Sequence, residues 1–307
     1  MKILAKSIIN KEQIDCKINI GCDGIEIQLL TELIDKKVGC YHNAWEIFDL
    51  NSFAVYPIKA VHLPLLNYIG QQDVNLEDLC ETHFALLDQA FYIANYFGKH
   101  QKEKVLVIVH SETSLNKLLL NVDGWRRMVN AIGCLLFKYP YTELGIENVA
   151  PVCGVLPKNI HMFSNFYNDN IEICTELRKE LKTDRIGTVL DTCHAMITKK
   201  YMDIIQKEYT GKECDFYNLE TFFKINKDYI KLIHLANMNG NGYGFGNHGA
   251  RFDSNSKDKL EEIITYYNKY NYNCPVTLEI NEKDYLLCDE YRITKETLDD
   301  VLKQKLL

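Results

Sequence analysis

Apolar and polar positions along this chain follow two rhythms. Short, nearly continuous apolar or β-branched runs recur, and between them lie longer stretches in which apolar residues return every three or four positions. The short runs predict eight strands, at 2–7, 24–29, 59–63, 105–110, 144–148, 187–192, 231–236 and 275–280. Most are apolar throughout rather than at every second residue, the pattern of strands covered by helices on their outer face. Asn75 is the expected N-cap of one intervening helix, with Glu77 and Asp78 set against the positive end of its dipole. Its apolar stripe runs Leu76, Leu79, Leu86, Leu87, Ala90, Ile93, Ala94 and Phe97, and Gly98 is the expected stop. Trp125, Met128, Val129, Ile132, Leu135 and Leu136 mark another helix that Pro140 ends, and a last one starts near Thr294 and buries Leu298, Val301 and Leu302.

Strand–helix alternation implies right-handed βαβ units and a parallel sheet. Eight units predict a closed (β/α)8 barrel. The rival, a doubly wound open sheet, usually carries a glycine-rich nucleotide turn after its first strand, and here Ile8-Ile9-Asn10-Lys11 stands in that place. A barrel takes about 250 residues. The 307 residues therefore fit one barrel domain over 1–307 with two long additions after strands six and seven. One is 199–229, charged and rich in tyrosine; the other is 237–255, rich in glycine and asparagine. Long loops of this kind usually serve as lids or insertions.

Composition narrows the classes. With 47% hydrophobic and 25% charged residues the chain is globular rather than disordered. A net charge of −7 offers no general electrostatic attraction to nucleic acid. No apolar run approaches the roughly 20 residues that span a bilayer. Met1-Lys2-Ile3-Leu4-Ala5 leads straight into a strand without the marks of a leader. The eleven cysteines are scattered, and Cys134 and Cys274 sit in apolar segments, so reduced thiols and a cytoplasmic location are expected, with no membrane partner.

In a parallel barrel, chemistry gathers at the C-terminal ends of the strands. Six successive ends bring a histidine or carboxylate there: His62, His110, Glu147, Asp191 with His194, His234 and Glu279. Any one of these is more often a satisfied core group than a ligand. Together they need a reason, because unpaired buried carboxylates are costly. A divalent cation supplies the missing positive charge, and imidazole mixed with carboxylate suits zinc, manganese, iron or cobalt better than calcium. Cys193 reads as packing. His42, His83, His100 and His161 lie away from strand ends and are given no role. No phosphate-binding P-loop, His-Glu-x-x-His, Gly-x-Ser-x-Gly or Cys-x-x-Cys occurs.

Val61-His62-Leu63-Pro64, Val109-His110-Ser111, Ile146-Glu147-Asn148, Leu190-Asp191-Thr192-Cys193-His194-Ala195, His234-Leu235-Ala236-Asn237 and Leu278-Glu279 resemble, in order and spacing, the xylose isomerase-like TIM barrels. That superfamily holds sugar and sugar-phosphate isomerases and epimerases, and the endonuclease IV type of apurinic/apyrimidinic (AP) endonuclease. The resemblance implies a central metal on Glu147, Asp191, His234 and Glu279. It implies a second on His62 and His110 with Glu147 bridging, and in the nuclease type a third on His194 plus an Asp-x-His pair. Here His248 is present but the Asp position is Gly246. Where the nuclease type carries a DNA-contacting aromatic this chain has Leu65, and Leu30-Thr31-Glu32-Leu33 replaces that type's arginine-rich loop.

The resemblance thus implies one to three zinc, manganese or cobalt ions and a small sugar substrate, with a homo-oligomer as a further expectation. Glu147 and Glu279 would act as the acid/base pair of an isomerase or epimerase, and His194 and His248 would bind a third metal or substrate. A metal-dependent phosphodiesterase acting on nucleic acid is the second reading, and a non-catalytic metal-bearing barrel the third. The departures at Leu65, Gly246 and residues 30–33 rank the isomerase first.

Overall fold

The computed structural model describes residues 1–30, 34–35, 40–41, 48–63, 76, 79–111, 114–150, 169–212, 218–239 and 248–304. Eight parallel strands follow one another around a closed barrel. They are β1 (Ile3–Ser7), β2 (Gly24–Gln28), β3 (Ile58–His62), β4 (Val105–His110), β5 (Thr142–Glu147), β6 (Ile186–Asp191), β7 (Ile230–Leu235) and β8 (Val276–Leu278). Closure is made by β1 on β8, with Ile3, Leu4 and Ala5 opposite Val276, Thr277 and Leu278. Each strand lies within two residues of its sequence-based bounds. A short antiparallel ribbon pairs Ile34–Asp35 with Cys40–Tyr41 outside the barrel.

Helices cover the outside: α1 (Lys11–Ile20), α2 (Leu50–Phe53), α3 (Glu81–Gln101), α4 (Leu115–Leu120), α5 (Val122–Lys138), α6 (Asp169–Leu181), α7 (Thr192–Thr210), α8 (Leu219–Asn226), α9 (Lys257–Lys269) and α10 (Asp289–Gln304). None of the described helices is long and apolar enough to cross a membrane.

Four expectations are corrected. The last helix begins at Asp289, five residues before Thr294, with Asp289 and Glu290 in its first turn. The helix expected from Asn75 begins at Glu81; Leu79 precedes it, and Asn75, Glu77 and Asp78 lie outside the described residues. Gly98 does not stop that helix. It is a contact residue: a Cβ there would stand 2.6 Å from the Tyr141 carbonyl oxygen, and α3 runs on until Lys102 turns left-handed at φ 56°. The stretch 199–229 is not a loop; its described part is the second half of α7, then α8 and the turn into β7.

The alternating faces of the strands build two cores. Outward residues such as Ala5, Ile27, Val107, Ile146, Leu190 and Ile233 pack under the helices. Inward residues Leu4, Ala60, Leu106, Ile108, Val189 and Leu232 form a separate apolar plug inside the barrel. Burying each large member contributes about 1.5–3 kcal/mol. One step further along the same inward face, the plug gives way to Lys6, His62, His110, Asp191 and His234, and the lumen changes from apolar floor to charged mouth.

Candidate metal centre

The joint between β6 and α7 shows how sequence places this chemistry. Asp191 is both the last residue of the strand and the N-cap of the helix, and its Oδ1 accepts the His194 amide at 2.6 Å. The positive helix end also favours that carboxylate. With no loop between the elements, Asp191 and His194 face the lumen from one rigid turn. Asn148 splints the joint from β5: it donates to the Asp191 carbonyl at 3.0 Å and accepts the Asp191 amide at 2.8 Å. His194 Nδ1 donates to the Asn148 carbonyl at 2.7 Å, which leaves Nε2 as the ring's lone-pair nitrogen. Cys193, between them, turns outward into the core.

At the centre sits His234, fully buried on β7. Its Nε2 lies 2.9 Å from Glu26 Oε2, while its Nδ1 faces Glu147 Oε1 at 3.0 Å and Glu279 Oε2 at 2.8 Å. Glu279 Oε2 is buried yet has no hydrogen-bond partner among the described residues. His62 Nδ1 donates to the Leu63 carbonyl at 2.8 Å, so its Nε2 points at Glu147 Oε2, 2.9 Å away. Imidazole lone pairs and carboxylate oxygens brought this close need a proton or a cation between them.

The described residues hold three groups whose ligand atoms lie within 4.8 Å of one another: Glu147, Asp191, His234 and Glu279; His62, Glu147 and His234; and Asp191, His194 and His248. This donor set fits a divalent transition metal. All eight residues singled out in the sequence thus converge on one end of the barrel. His110 meets Glu147 Oε2 at 3.4 Å but belongs to none of the three groups; His234 takes the third place beside His62 and Glu147. The third group draws its carboxylate from Asp191, whose Oδ2 is 3.0 Å from His248 Nε2. Gly246, Leu65 and residues 31–33 lie outside the described residues, as do His42 and His161, while His83 and His100 are on α3.

Two further members of the cluster stand inside their strands rather than at the strand ends where the sequence marks candidate chemistry. Glu26 is an isolated carboxylate in Gly24-Ile25-Glu26-Ile27-Gln28, and Lys6 follows Leu4 on the inner face of β1. The period-two alternation was the available signal. Glu26 Oε2 also accepts the Thr277 hydroxyl at 2.8 Å. A carboxylate on the far nitrogen of a metal-facing histidine is a recurrent support that sets the ring's tautomer.

Electrostatics follow from this crowding. Burial alone would lower the His234 pKa, but Glu147, Glu26 and Glu279 hold it well above 6.5. Burial would raise Glu147 and Glu279; His234 with His110 in the first case, and Lys6 with His234 in the second, hold both well below 4.5. Burial pushes His194 down; burial would lower His248 too, but Asp191 together with Glu279 raises it. The metal-free cluster is thus balanced by imidazolium and ammonium. A cavity of about 430 Å³ opens beside it, lined by Lys6, Ser7, Gln13, Gln28, Glu279 and Asn281 among others.

A sequence model described as xylose isomerase-like TIM barrel matches residues 19–305. The chain belongs to this family. Solved structures similar to this xylose isomerase-like barrel include the IOLI protein with a bound zinc atom, at TM-score 0.60 and 15% identity, with 99% of each chain covered. An L-ribulose 3-epimerase gives TM-score 0.58 and 13% identity, covering 99% of this chain and 97% of its own. The apo form of 3-keto-D-glucoside 4-epimerase from E. coli gives TM-score 0.54 and 14% identity, covering 99% and 98%. At such identities the likeness speaks for the xylose isomerase-like fold alone. None of the curated proteins matches the chain.

Proposed function

We propose that this chain is a divalent-metal-dependent isomerase or epimerase acting on a sugar or sugar phosphate. The observation that carries the reading is the convergence of Glu147, Asp191, His234 and Glu279 within 4.8 Å, with Glu279 forming part of the wall of a cavity of about 430 Å³. Its relatives in fold include several sugar epimerases. Glu147, Asp191, His234 and Glu279 would hold the central ion, and His62, His194 and His248 give room for up to two more, of zinc, manganese or cobalt. Such an ion supplies Lewis-acid stabilisation for the charge that develops on a substrate oxygen when a proton leaves the neighbouring carbon.

The chain's own groups do the rest. Glu147 and Glu279 stand on β5 and just past β8, apart in the strand order, and serve as the pair that removes a proton from one face of the substrate and returns it on the other. The Glu279 side chain is 18% exposed against 1% for Glu147, so Glu279 is the member that meets the cavity directly. Where they hold no third ion, His194 and His248 contact substrate oxygens. The test is metal-loaded protein with a panel of free and phosphorylated ketoses, including L-ribulose, D-fructose and D-tagatose, in D2O. Epimer formation with deuterium at the inverted carbon, lost in Glu279→Gln, is expected. No conversion and no exchange with any of them overturns the reading.

One observation favours a second reading, a metal-dependent AP endonuclease. The Asp191, His194 and His248 group supplies a carboxylate for a third metal even though the Asp-x-His pair is broken at Gly246. Incision of an abasic-site duplex by the metal-loaded protein decides for this reading. Tight metal binding with neither activity decides for a non-catalytic barrel.

A further inference from the structure

Lys6 lies on the inner face of β1, in line with Leu4 of the apolar plug. Its Nζ stands 2.7 Å from Glu279 Oε1 and 3.4 Å from Glu26 Oε1, with its side chain only 12% exposed. From behind, the Lys17 ammonium donates to the Lys6 backbone carbonyl and fixes this stretch of β1. Glu279 therefore gives one oxygen to Lys6 and turns the other, Oε2, toward His234 Nδ1, where it has no hydrogen bond among the described residues. Glu26 is divided in the same way: Oε2 bonds His234 and Thr277, and Oε1 faces Lys6. The ammonium thus bridges two carboxylates that flank one histidine.

We propose that Lys6 is a built-in counter-cation and positioning residue: it keeps the carboxylates assembled when no ion is present, holds Glu279 with a single oxygen turned toward the metal, and so keeps that metal exchangeable. The inference rests on the reading above only insofar as an ion binds at Glu147, Asp191, His234 and Glu279. Two effects act in the same direction. A fixed positive charge stabilises the crowded metal-free carboxylates, and it repels a dication brought beside them. Both lower the gain on metal binding. Removing the charge while keeping the side chain's bulk raises that gain on both counts.

The experiment is a chelator-competition titration of metal-free protein with Zn²⁺, together with thermal melts with and without Zn²⁺. Even at the dielectric constant of water, a unit positive charge a few ångströms from a dication weakens its binding by about tenfold. Lys6→Met is therefore expected to bind Zn²⁺ at least about tenfold more tightly than wild type. Its metal-free form melts lower, and its gain in melting temperature on adding Zn²⁺ is larger. Lys6→Arg retains the charge and stays near wild type in both measurements. If Lys6→Met does not fold without metal but folds with Zn²⁺, that too is the expected outcome in its extreme form, and Lys6→Gln then supplies the affinity. Wild type that binds Zn²⁺, with Lys6→Met or Lys6→Gln binding no more tightly, overturns this inference alone. Wild type that takes up no Zn²⁺ overturns it together with the metal reading.

Discussion

His234 and Glu26 are bound face to face in a fully buried pair, Nε2 to Oε2 at 2.9 Å, across a barrel in which they stand 208 residues apart in sequence. The carboxylate fixes which ring nitrogen carries the proton and leaves the other for the cluster. Glu26→Gln removes the charge but keeps the size. Metal affinity is expected to fall about 10–100-fold, the range for such supporting carboxylates. Isothermal titration with Zn²⁺ checks this, and an unchanged affinity would show that Glu26 only fills space.

The charge balance of the metal-free cluster gives a pH dependence with a definite sign. His234 is held well above 6.5, so its stabilising contribution is complete below about pH 6.5 and disappears as pH rises through the folded value. Glu147 and Glu279 are held well below 4.5, so theirs is present above about pH 4.5 and is lost as pH falls through their folded values. Chelated protein should therefore melt highest between these limits and progressively lower as the pH rises beyond 6.5. Added metal should reverse the alkaline loss, because it needs the deprotonated imidazole. A chelated melting curve that stays flat from pH 6.5 to strongly alkaline pH contradicts this account.

Gly249 holds the His248 end of the site. It sits at φ +82°, and a Cβ there would come 2.5 Å from Asn281 Nδ2, which itself donates to the His248 carbonyl at 2.7 Å. Gly249→Ala combines a left-handed backbone with a direct clash, so a loss of about 1–3 kcal/mol is expected in urea unfolding. Asn281→Ala should loosen His248 from Asp191 with a smaller loss. Equal stability of wild type and Gly249→Ala would mean that this segment carries no strain-sensitive contact.

The apolar plug is predicted to matter for folding and not for ion binding. Leu232 is 1% exposed inside the barrel. Leu232→Ala leaves a cavity and should cost about 2–5 kcal/mol. The number of metal ions bound per chain, read by elemental analysis at low temperature, should stay at the wild-type value.

The barrel was legible because most of its strands are nearly continuous apolar runs, and six of them end in a histidine or carboxylate. The same feature exposed Glu147, Asp191, His234 and Glu279. Lys6 and Glu26 escaped because they stand inside their strands, where only the inward half of the alternation sets them apart. The start of α3 escaped because Cys80 is an N-cap without a side-chain hydrogen bond, so no Ser, Thr, Asp or Asn marks the boundary. The stretch 199–229 reads as loop by its mixed charge, yet pairs such as Lys199 with Asp203 lie one helical turn apart on α7. The partnership of Asp191 with His248 spans 57 residues and follows from tertiary closeness, which no local pattern encodes.

The plug of Leu4, Ala60, Leu106, Ile108, Val189 and Leu232 makes the lumen a one-ended vessel. Traffic to and from the charged layer passes through the mouth. An ion held by Glu147 and Glu279 would then enter from the end where the cavity beside Glu279 lies, and a large occupant of that cavity would hinder its entry and exit. Loading order and trapping would thus follow from a hydrophobic floor.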